Sequence, residues 1–282
     1  MPAPDKILAT LRKAIDAVER TPGRSGHLVH LQDCTEVLVV GDLHGHVGNF
    51  QSIWKLANLL AHPGRHLVLQ ELIHGKFFYP NGSEKSHQLV DLFAAVKCQF
   101  PGRVHYLPGN HEMAQWTGRK IIKGDEDLNE LFRVGVLTAY GTAMMPEIYR
   151  AYFELFQKCP LGLVTPNAVF LSHTLPPARQ LPLFDRKQLE AESFEAKDLE
   201  PGGLVYGMLW GRDTSAENAE EFLRKVECDW LVTGHIPSDD GFTKPNHRQI
   251  TLDCSASPGG YVLLPCDRAL SQGEFSACIG VV

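Results

Sequence analysis

The chain has 282 residues, of which 44% are hydrophobic and 21% charged, and this balance excludes a disordered, collagen-like or coiled-coil protein. Its 27 Lys and Arg against 33 Asp and Glu give a formal net charge of -6. That charge argues against a general nucleic-acid binder and weakens any case for binding to anionic membranes. No apolar run reaches the roughly 18 residues of a membrane span. Seven dispersed Cys and an N-terminus without an apolar leader predict a reduced, cytoplasmic protein.

The first predicted element is an amphipathic helix over residues 5–20, with Asp5 as its N-cap. Apolar residues recur there at helical spacing, namely Ile7, Leu8, Leu11, Ile15 and Val18. Residues 21–26 contain Pro and Gly and end the helix. We therefore predict an N-terminal helix and linker over residues 1–26, followed by one main domain over residues 27–282.

Five short apolar runs further along the chain each lead into a turn that carries a side chain able to bind metal. The runs end at Val40, Leu69, Leu107, Leu171 and Val232. Runs of this length predict strands buried on both faces. Helical patterns between the first three indicate βαβ units, which bring the carboxyl ends of parallel strands to one edge of a sheet. The polar residues after these strands should therefore converge on one site.

The remaining segments are predicted as follows. Residues 117–160 read as a helical insertion with an apolar aromatic stripe, which either packs into the core or grips a ligand. Residues 174–205 form a long surface excursion that is either a lid or simply irregular. A helix follows over residues 216–228, and residues 250–264 are predicted to close the fold as a β-hairpin.

The polar residues at the strand ends suit two divalent ions. They are Asp42, His44, Glu71, Asn110, His173 and His235. This mixture of imidazole nitrogen with carboxylate and amide oxygen fits Mn, Fe, Zn or Co, and fits neither an all-oxygen Ca site nor a thiolate Zn site. Asp42 and His44 are two residues apart, so an extended turn places both side chains on one side, where they can hold one ion.

Three motifs occur in order at these strand ends, Gly-Asp-Leu-His-Gly at 41–45, Gly-Asn-His-Glu at 109–112 and Gly-His-Ile-Pro at 234–237. They resemble those of the calcineurin-like metallophosphoesterases, especially the branch of Ser/Thr protein phosphatases and bacterial diadenosine-tetraphosphatase-like enzymes. The resemblance covers about residues 37–265. It implies an α/β fold, the four-layer α/β/β/α sandwich of that family, with a helical insertion.

The resemblance also implies how the ligands divide between the two ions. The first ion would be held by Asp42 and His44, and the second by Asn110, His173 and His235. Glu71 would bridge both. A hydroxide between the ions would attack a phosphate monoester, and a bound cation lowers the pKa of water enough to form it near neutral pH.

Three residues are expected to contact the substrate phosphate, namely Asn110, His111 and Arg212. His111 lies beside a ligand but points elsewhere, so we expect it to protonate the leaving oxygen as a general acid. Arg212, in a Leu-Trp-Gly-Arg segment that resembles one in the bacterial phosphatases, can grip two phosphate oxygens.

The second motif of the chain departs from the family pattern Gly-Asp-x-x-Asp-Arg-Gly. Residues 70–75 read Gln-Glu-Leu-Ile-His-Gly, so Glu71 adds a methylene that must shift the backbone or the ions. His74 stands where the family has the Asp that orients the catalytic His, and an imidazole brings no negative charge there. The phosphate-binding Arg of that motif is missing.

Three functions remain open at this point. The first is a dimetal phosphomonoesterase acting on phosphoprotein or a small phosphate ester. The second is a nucleotide polyphosphate hydrolase of the diadenosine-tetraphosphatase type, which an aromatic clamp within residues 140–160 near the metals would favour. The third is a phosphatase-like binding protein with weakened catalysis.

Overall fold

The computed structural model describes residues 3–282, which form eight α-helices and fourteen strands. The strands are β1 (Arg24–Ser25), β2 (Leu28–His30), β3 (Glu36–Asp42), β4 (Arg65–Gln70), β5 (Val104–Leu107), β6 (Ile122–Lys123), β7 (Glu126–Asp127), β8 (Gly162–Val164), β9 (Val169–Ser172), β10 (Trp230–Thr233), β11 (Phe242–Asn246), β12 (Gln249–Leu252), β13 (Gly260–Pro265) and β14 (Ile279–Val281). The helices are α1 (Pro4–Glu19), α2 (Val47–Ala57), α3 (His87–Gln99), α4 (Asn110–Thr117), α5 (Leu128–Lys158), α6 (Leu204–Trp210), α7 (Ala216–Val226) and α8 (Gln272–Ala277).

The strands form two large sheets, ordered β14-β13-β3-β4-β5 and β1-β2-β8-β9-β10-β12-β11, and β6 pairs with β7 alone. β3, β4 and β5 are parallel, as are β9 and β10, which agrees with the βαβ prediction. The predicted closing hairpin is wrong. β12 lies beside β10, whereas β13 pairs antiparallel with β3 in the other sheet. The connection over residues 253–259 therefore crosses between the sheets instead of turning back on its own strand.

The two sheets pack face to face, and helices cover their outer faces. Along β3, Val37 and Val39 point into the core between the sheets, whereas Leu38 and Val40 point into the core beneath α1, α2, α3 and α5. The outer face of the other sheet packs against α4, α6 and α7. This period-two alternation is what a strand buried on both faces requires. The four-layer α/β/β/α arrangement is thereby confirmed.

The first helix begins one residue earlier than the sequence predicted. Ala3 is the N-cap and Pro4 opens the helix, so the prediction of Asp5 as N-cap is wrong. Proline suits the first helical position because its missing N–H would have no intrahelical partner there. Asp5 lies in the first turn, where a negative charge interacts favourably with the helix dipole. The five predicted apolar residues of this helix are all buried.

The two long segments that interrupt the strand pattern both contain helical structure. Residues 117–160 form the β6–β7 hairpin and α5, whose regular geometry breaks at Gly141 (φ 69°, ψ 170°). Residues 174–205 form three short 3₁₀ turns, anchored by buried Leu181, Phe184 and Leu189 in the outer helical core. Within residues 3–282, none of the helices is long and apolar enough to cross a membrane.

Candidate metal centre

The six predicted ligands come together where the strands of both sheets end. Asp42 ends β3, Glu71 follows β4, and Asn110 opens α4 directly after β5. His173 and His235 follow β9 and β10, which are parallel neighbours in the second sheet. Because the sheets face each other, the strand ends of one deliver carboxylates opposite the imidazoles delivered by the other.

Glu71 lies at the middle of this cluster and is only 1% exposed. Its Oε2 is 3.2 Å from Nε2 of His44, and its Oε1 is 3.7 Å from Nε2 of His173. The same Oε1 accepts a hydrogen bond from the backbone N–H of His111 at 2.9 Å. One carboxylate therefore faces His44, a predicted ligand of the first ion, and His173, a predicted ligand of the second, with one oxygen towards each.

The second group is the more compact of the two. Nε2 of His173 is 3.3 Å from Oδ1 of Asn110 and 3.1 Å from Nδ1 of His235. The resemblance assigned these three side chains to the second ion, and Glu71 to the bridge between the two ions. Atoms of ligand type at such separations can all reach one cation.

The resemblance assigned Asp42 and His44 to the first ion. In the structure, ligand atoms of Asp42, Glu71 and His173 lie within 4.8 Å of one another, as do those of His44, Glu71 and His111. Oδ1 of Asp42 is 3.6 Å from Nδ1 of His173. Oδ2 of Asp42 accepts the backbone N–H of His235 at 2.7 Å. Nδ1 of His44 is 2.7 Å from the carbonyl oxygen of Ile73, and a carbonyl only accepts, so Nδ1 must carry hydrogen. Nε2 of His44 is then the nitrogen free to bind a metal, and a backbone carbonyl fixes its tautomer as in many metal-binding histidines.

Buried polar atoms without partners show that these residues fit metal ions. Oδ1 of Asp42, Nδ1 of His173 and Nε2 of His235 find no hydrogen-bond partner among residues 3–282. An unpaired polar group in the interior costs roughly 2–7 kcal/mol, so such groups are rare unless something else pairs them. Three of them in one cluster of metal-ligand chemistry indicate a site built for cations.

The pKa values of the cluster point the same way. Burial and the neighbouring charge of Glu71 raise the pKa of Asp42 well above its usual range, as expected for two buried carboxylates close together. Burial lowers the pKa of His173 to about 4 and that of His235 well below its usual value. Both imidazoles are therefore neutral at pH 7, which is the form that binds metal. His44 is the exception. Burial opposes its charged form, but the charge of Glu71 raises its pKa to about 10, so without metal the imidazolium is the counterion of Glu71 and would have to lose its Nε2 proton when an ion binds.

Two motif glycines leave room for the carboxylates. A Cβ on Gly109 would lie 2.0 Å from Oε1 of Glu71, and a Cβ on Gly234 would lie 2.1 Å from Oδ1 of Asp42. Any side chain at either position would displace the carboxylate beside it. Glu71 itself has a φ of 32°, in the left-handed region that costs about 1–3 kcal/mol for a non-glycine residue.

A chain of hydrogen bonds connects His111 to residues away from the cluster. Nδ1 of His74 is 2.8 Å from Nδ1 of His111, and Nε2 of His74 is 2.8 Å from Oε1 of Gln115. Nε2 of Gln115 donates to the Tyr149 hydroxyl at 2.6 Å and to the Asn129 carbonyl at 3.3 Å. That carbonyl can only accept, so it fixes the amide with its oxygen towards His74.

The fixed amide determines where the hydrogens of the two imidazoles lie. His74 must carry its hydrogen on Nε2, and in its neutral form its Nδ1 accepts from Nδ1–H of His111. Burial lowers the pKa of His74 to about 4 and that of His111 to about 3. His74 thus supplies His111 with a hydrogen-bond acceptor that carries no negative charge.

Two residues near His74 were not predicted from the sequence. Gln115 lies four positions after His111 on α4, the spacing that places two side chains on one helix face, and this could have identified it. Glu84 could not be identified in that way, because it is ten residues beyond His74. Its carboxylate accepts a hydrogen bond from Ser86, whose hydroxyl oxygen in turn accepts the backbone N–H of His74.

Arg212 lies on the exposed side of the centre, two residues after α6. Its positive charge contributes, after burial, to the lowered pKa of His173 and of His235. The guanidinium is therefore close enough to act on the site electrostatically, and it remains accessible to solvent. The structure places all nine predicted site residues in or around one cluster.

The aromatic residues of the insertion do not form a clamp over this cluster. Tyr152 and Phe156 are fully buried in the core beneath the first sheet. Tyr140 and Tyr152 both donate hydrogen bonds to Asp91 of α3. Tyr149 is the one among these that reaches the site residues, through Gln115.

Comparison with known proteins gives the following relationships. The family model described as calcineurin-like phosphoesterase matches residues 35–239. A probable serine/threonine-protein phosphatase of Encephalitozoon cuniculi is 24% identical over 263 residues, which cover 84% of this chain and 52% of that protein. The serine/threonine-protein phosphatase 4 catalytic subunit of Saccharomyces cerevisiae is 23% identical over 267 residues, covering 84% and 77% respectively.

A solved structure is similar along the whole chain. It is a protein serine/threonine phosphatase from Saccharomyces cerevisiae with similarity to human phosphatase PP5, with a TM-score of 0.70 and 14% identity. The alignment covers 100% of this chain and 89% of that one, and at this identity it supports the fold alone. This chain spans about half the length of the first curated relatives it matches.

Proposed function

We propose that this chain, which belongs to the calcineurin-like phosphoesterase family, is a metal-dependent phosphatase that hydrolyses phosphate monoesters. The observation that carries the proposal is the position of Glu71, whose two carboxylate oxygens face two separate groups of ligand-type side chains. The names of the relatives favour phosphorylated Ser or Thr in proteins as the substrate.

The proposed ion sites follow the division of ligands that the family resemblance implies. Asp42 and His44 would hold one ion and Glu71 would bridge it to the second. The second would be held by Asn110, His173 and His235. When bound, the ions would acidify a water nucleophile and withdraw charge from the phosphate. We propose Mn, Fe or Zn because the donors mix imidazole nitrogen with oxygen. We propose the cytoplasm as the compartment because the seven Cys are free thiols.

The remaining residues would bind and protonate the substrate. Arg212 is exposed at the edge of the site and would donate two hydrogen bonds to phosphate oxygens. The Asn110 amide and the His111 imidazole would also contact the phosphate. We propose His111 as the group that delivers a proton to the leaving oxygen, with His74 holding its ring in place through the 2.8 Å contact. Because burial lowers the pKa of His111 to about 3 and its Nδ1–H points to His74, it would first have to take up a proton on Nε2.

The nucleotide polyphosphate alternative has less support. The aromatic clamp that would favour it is absent from the described part of the insertion near the ligands, because the large side chains of α5 pack into the core. The third alternative, a binding protein with weakened catalysis, remains a possible outcome of the test below.

The test uses the full chain, stripped with chelator and reloaded with Mn²⁺. Hydrolysis of p-nitrophenyl phosphate, a phosphoserine peptide and a dinucleoside polyphosphate is compared in the parent and in Asp42→Asn and His235→Ala. His247→Ala is the matched control, since His247 is a surface histidine paired with Glu220. We expect metal-dependent hydrolysis of the monoesters that is lost in the two ligand variants and kept in the control.

Other results would point elsewhere. Equal rates in the parent and both ligand variants would leave the binding-protein alternative. Faster turnover of the dinucleoside polyphosphate than of the phosphopeptide would favour the second alternative. Fewer than one transition ion per chain, in protein never exposed to chelator, would argue against the metal centre itself.

A further inference from the structure

Gln70 is a second polar side chain that β4 delivers to the metal centre. It is the last residue of that strand, pairs with Asp42 across the parallel ladder, and is completely buried. Val68, two residues earlier, lies in the core between the sheets. Since alternate residues of a strand point the same way, Gln70 points into the same space, at the end where the ligands gather.

The carboxamide of Gln70 has no protein partner. Neither Oε1 nor Nε2 forms a hydrogen bond with any residue in the described range 3–282. A buried amide left in this state opposes folding, so natural proteins pair such groups with protein, water or an ion. Gln249, a buried glutamine in the neighbouring sheet, shows the ordinary case, because its amide is hydrogen-bonded to Thr233 and Asn246.

The orphan oxygen of Gln70 lies beside another orphan oxygen. The position that a Cβ would take on Gly234 is 2.1 Å from Oδ1 of Asp42 and 3.1 Å from Oε1 of Gln70. Both atoms are buried, and neither forms a hydrogen bond within the part of the chain that the structure covers; Nδ1 of His173, itself without a hydrogen-bond partner, is 3.6 Å from Oδ1 of Asp42. A cation placed between these two oxygens would satisfy both of them.

We propose that Gln70 is a metal ligand, and that its amide oxygen binds the ion held by Asp42. The inference rests on the proposed two-metal centre and adds a ligand to it. An amide oxygen binds divalent ions without adding charge, as the proposed ligand Asn110 also would. The motif that this chain resembles has Gly at this position, so the added ligand accompanies the replacement of the bridging Asp by Glu71.

The alternative to metal binding is a hydrogen-bonding role for Gln70. In that role its NH₂ group, and not its oxygen, would be used: it would donate a hydrogen bond to Oδ1 of Asp42 and hold that carboxylate in place. A glutamate at position 70 keeps the oxygen ligand but loses the donor, whereas a methionine has nearly the same shape and lacks both. These two substitutions therefore separate ligation from hydrogen bonding.

The experiment measures Mn²⁺ binding, without any substrate, by calorimetry on chelator-stripped full chain. The proteins are the parent, Gln70→Met, Gln70→Glu and the control Gln249→Met. Thermal unfolding of each metal-free protein reports folding. We expect Gln70→Met to weaken one of the two Mn²⁺ sites by about 10-fold or more, on the scale of lost metal-site contacts, and Gln70→Glu to keep or raise the affinity.

The two methionine variants should differ in opposite ways in their melting temperatures and in their Mn²⁺ affinities. Gln70→Met removes an unpaired buried amide, so the metal-free variant should melt no lower than the parent, whereas Gln249→Met loses hydrogen bonds and should melt lower with unchanged Mn²⁺ affinity. Unchanged Mn²⁺ affinity in Gln70→Met would overturn the proposal. Equal weakening in Gln70→Met and Gln70→Glu would overturn it in favour of the hydrogen-bonding role. A parent that binds no Mn²⁺ would instead refute the proposed function itself.

Discussion

Replacement of Gly109 by alanine would test the position of Glu71 directly. Gly109 has φ -103° and ψ -171°, an extended conformation that alanine adopts without strain. Its new Cβ, however, would lie 2.0 Å from Oε1, 2.4 Å from Cδ and 2.7 Å from Cγ of Glu71. The closest approach is about 1.5 Å inside ordinary van der Waals contact. Any cost of this substitution should therefore come from the Glu71 side chain alone.

The magnitude follows from two opposing effects. Overpacking of this kind costs about 1–3 kcal/mol. Gly→Ala in an allowed conformation stabilises by about 0.4–1 kcal/mol through the unfolded chain. In Glu71→Ala the clashing atoms are gone, so Gly109→Ala should be neutral or stabilising there. The Gly→Ala gain is common to both backgrounds and cancels, so the coupling energy between the two positions should be about 1–3 kcal/mol.

Glu71→Asp provides an intermediate step. It removes the outermost carboxylate position but leaves an atom near the Cγ position, 2.7 Å from the new methyl group. The cost of Gly109→Ala should therefore decrease from the parent through Glu71→Asp to Glu71→Ala. Urea unfolding of metal-free protein at pH 7 measures each cost. A cost that is the same in all three backgrounds would show that the Glu71 carboxylate does not lie beside Gly109.

Three further predictions concern groups around the centre. Burial raises the pKa of Glu84 from 4.5 to about 8, so the folded protein keeps a proton that the unfolded chain releases, and stability falls as pH rises through this window. Glu84→Gln should be more stable than the parent by roughly 3 kcal/mol at pH 7 and equal to it near pH 4 in urea titrations; a constant difference at both pH values would contradict this. Arg212→Ala should raise KM for p-nitrophenyl phosphate by about 10-fold with an unchanged melting temperature, because the side chain is exposed, and an unchanged KM would remove it from the phosphate site. His74→Asp would place a negative charge against His111 and favour its protonated form. Since the leaving group of p-nitrophenyl phosphate needs less protonation, kcat/KM should rise more for a phosphoserine peptide than for p-nitrophenyl phosphate. An equal change for both substrates would count against His111 as the acid.

The sequence by itself predicted the buried strands and the candidate ligands at their ends, and its resemblance to the calcineurin-like metallophosphoesterases implied the four layers. Apolar runs such as residues 37–40 and 104–107 predict buried strands, because the residues of the run are apolar on both faces of the strand and this can be seen in the sequence alone. Turns after such strands carry the ligands because parallel strands end at one edge of their sheet. The structure brings the predicted ligands together, while their roles as ligands and as acid or base stay predictions.

Only the tertiary structure decided which groups meet through space. The predicted hairpin failed because strand pairing depends on hydrogen bonds between distant segments, and β13 pairs with β3 more than 200 residues away along the chain. The aromatic stripe of α5 has one helical pattern whether it faces a ligand or the core, and its packing against α3 decided for the core. Whether the amide of Gln70 has a hydrogen-bond partner depends on the residues packed around it, among them Asp42 and Gly234. The packing of elements that are distant in sequence determines which partners a buried polar group has. These partners therefore cannot be inferred from the spacing of residues along the chain.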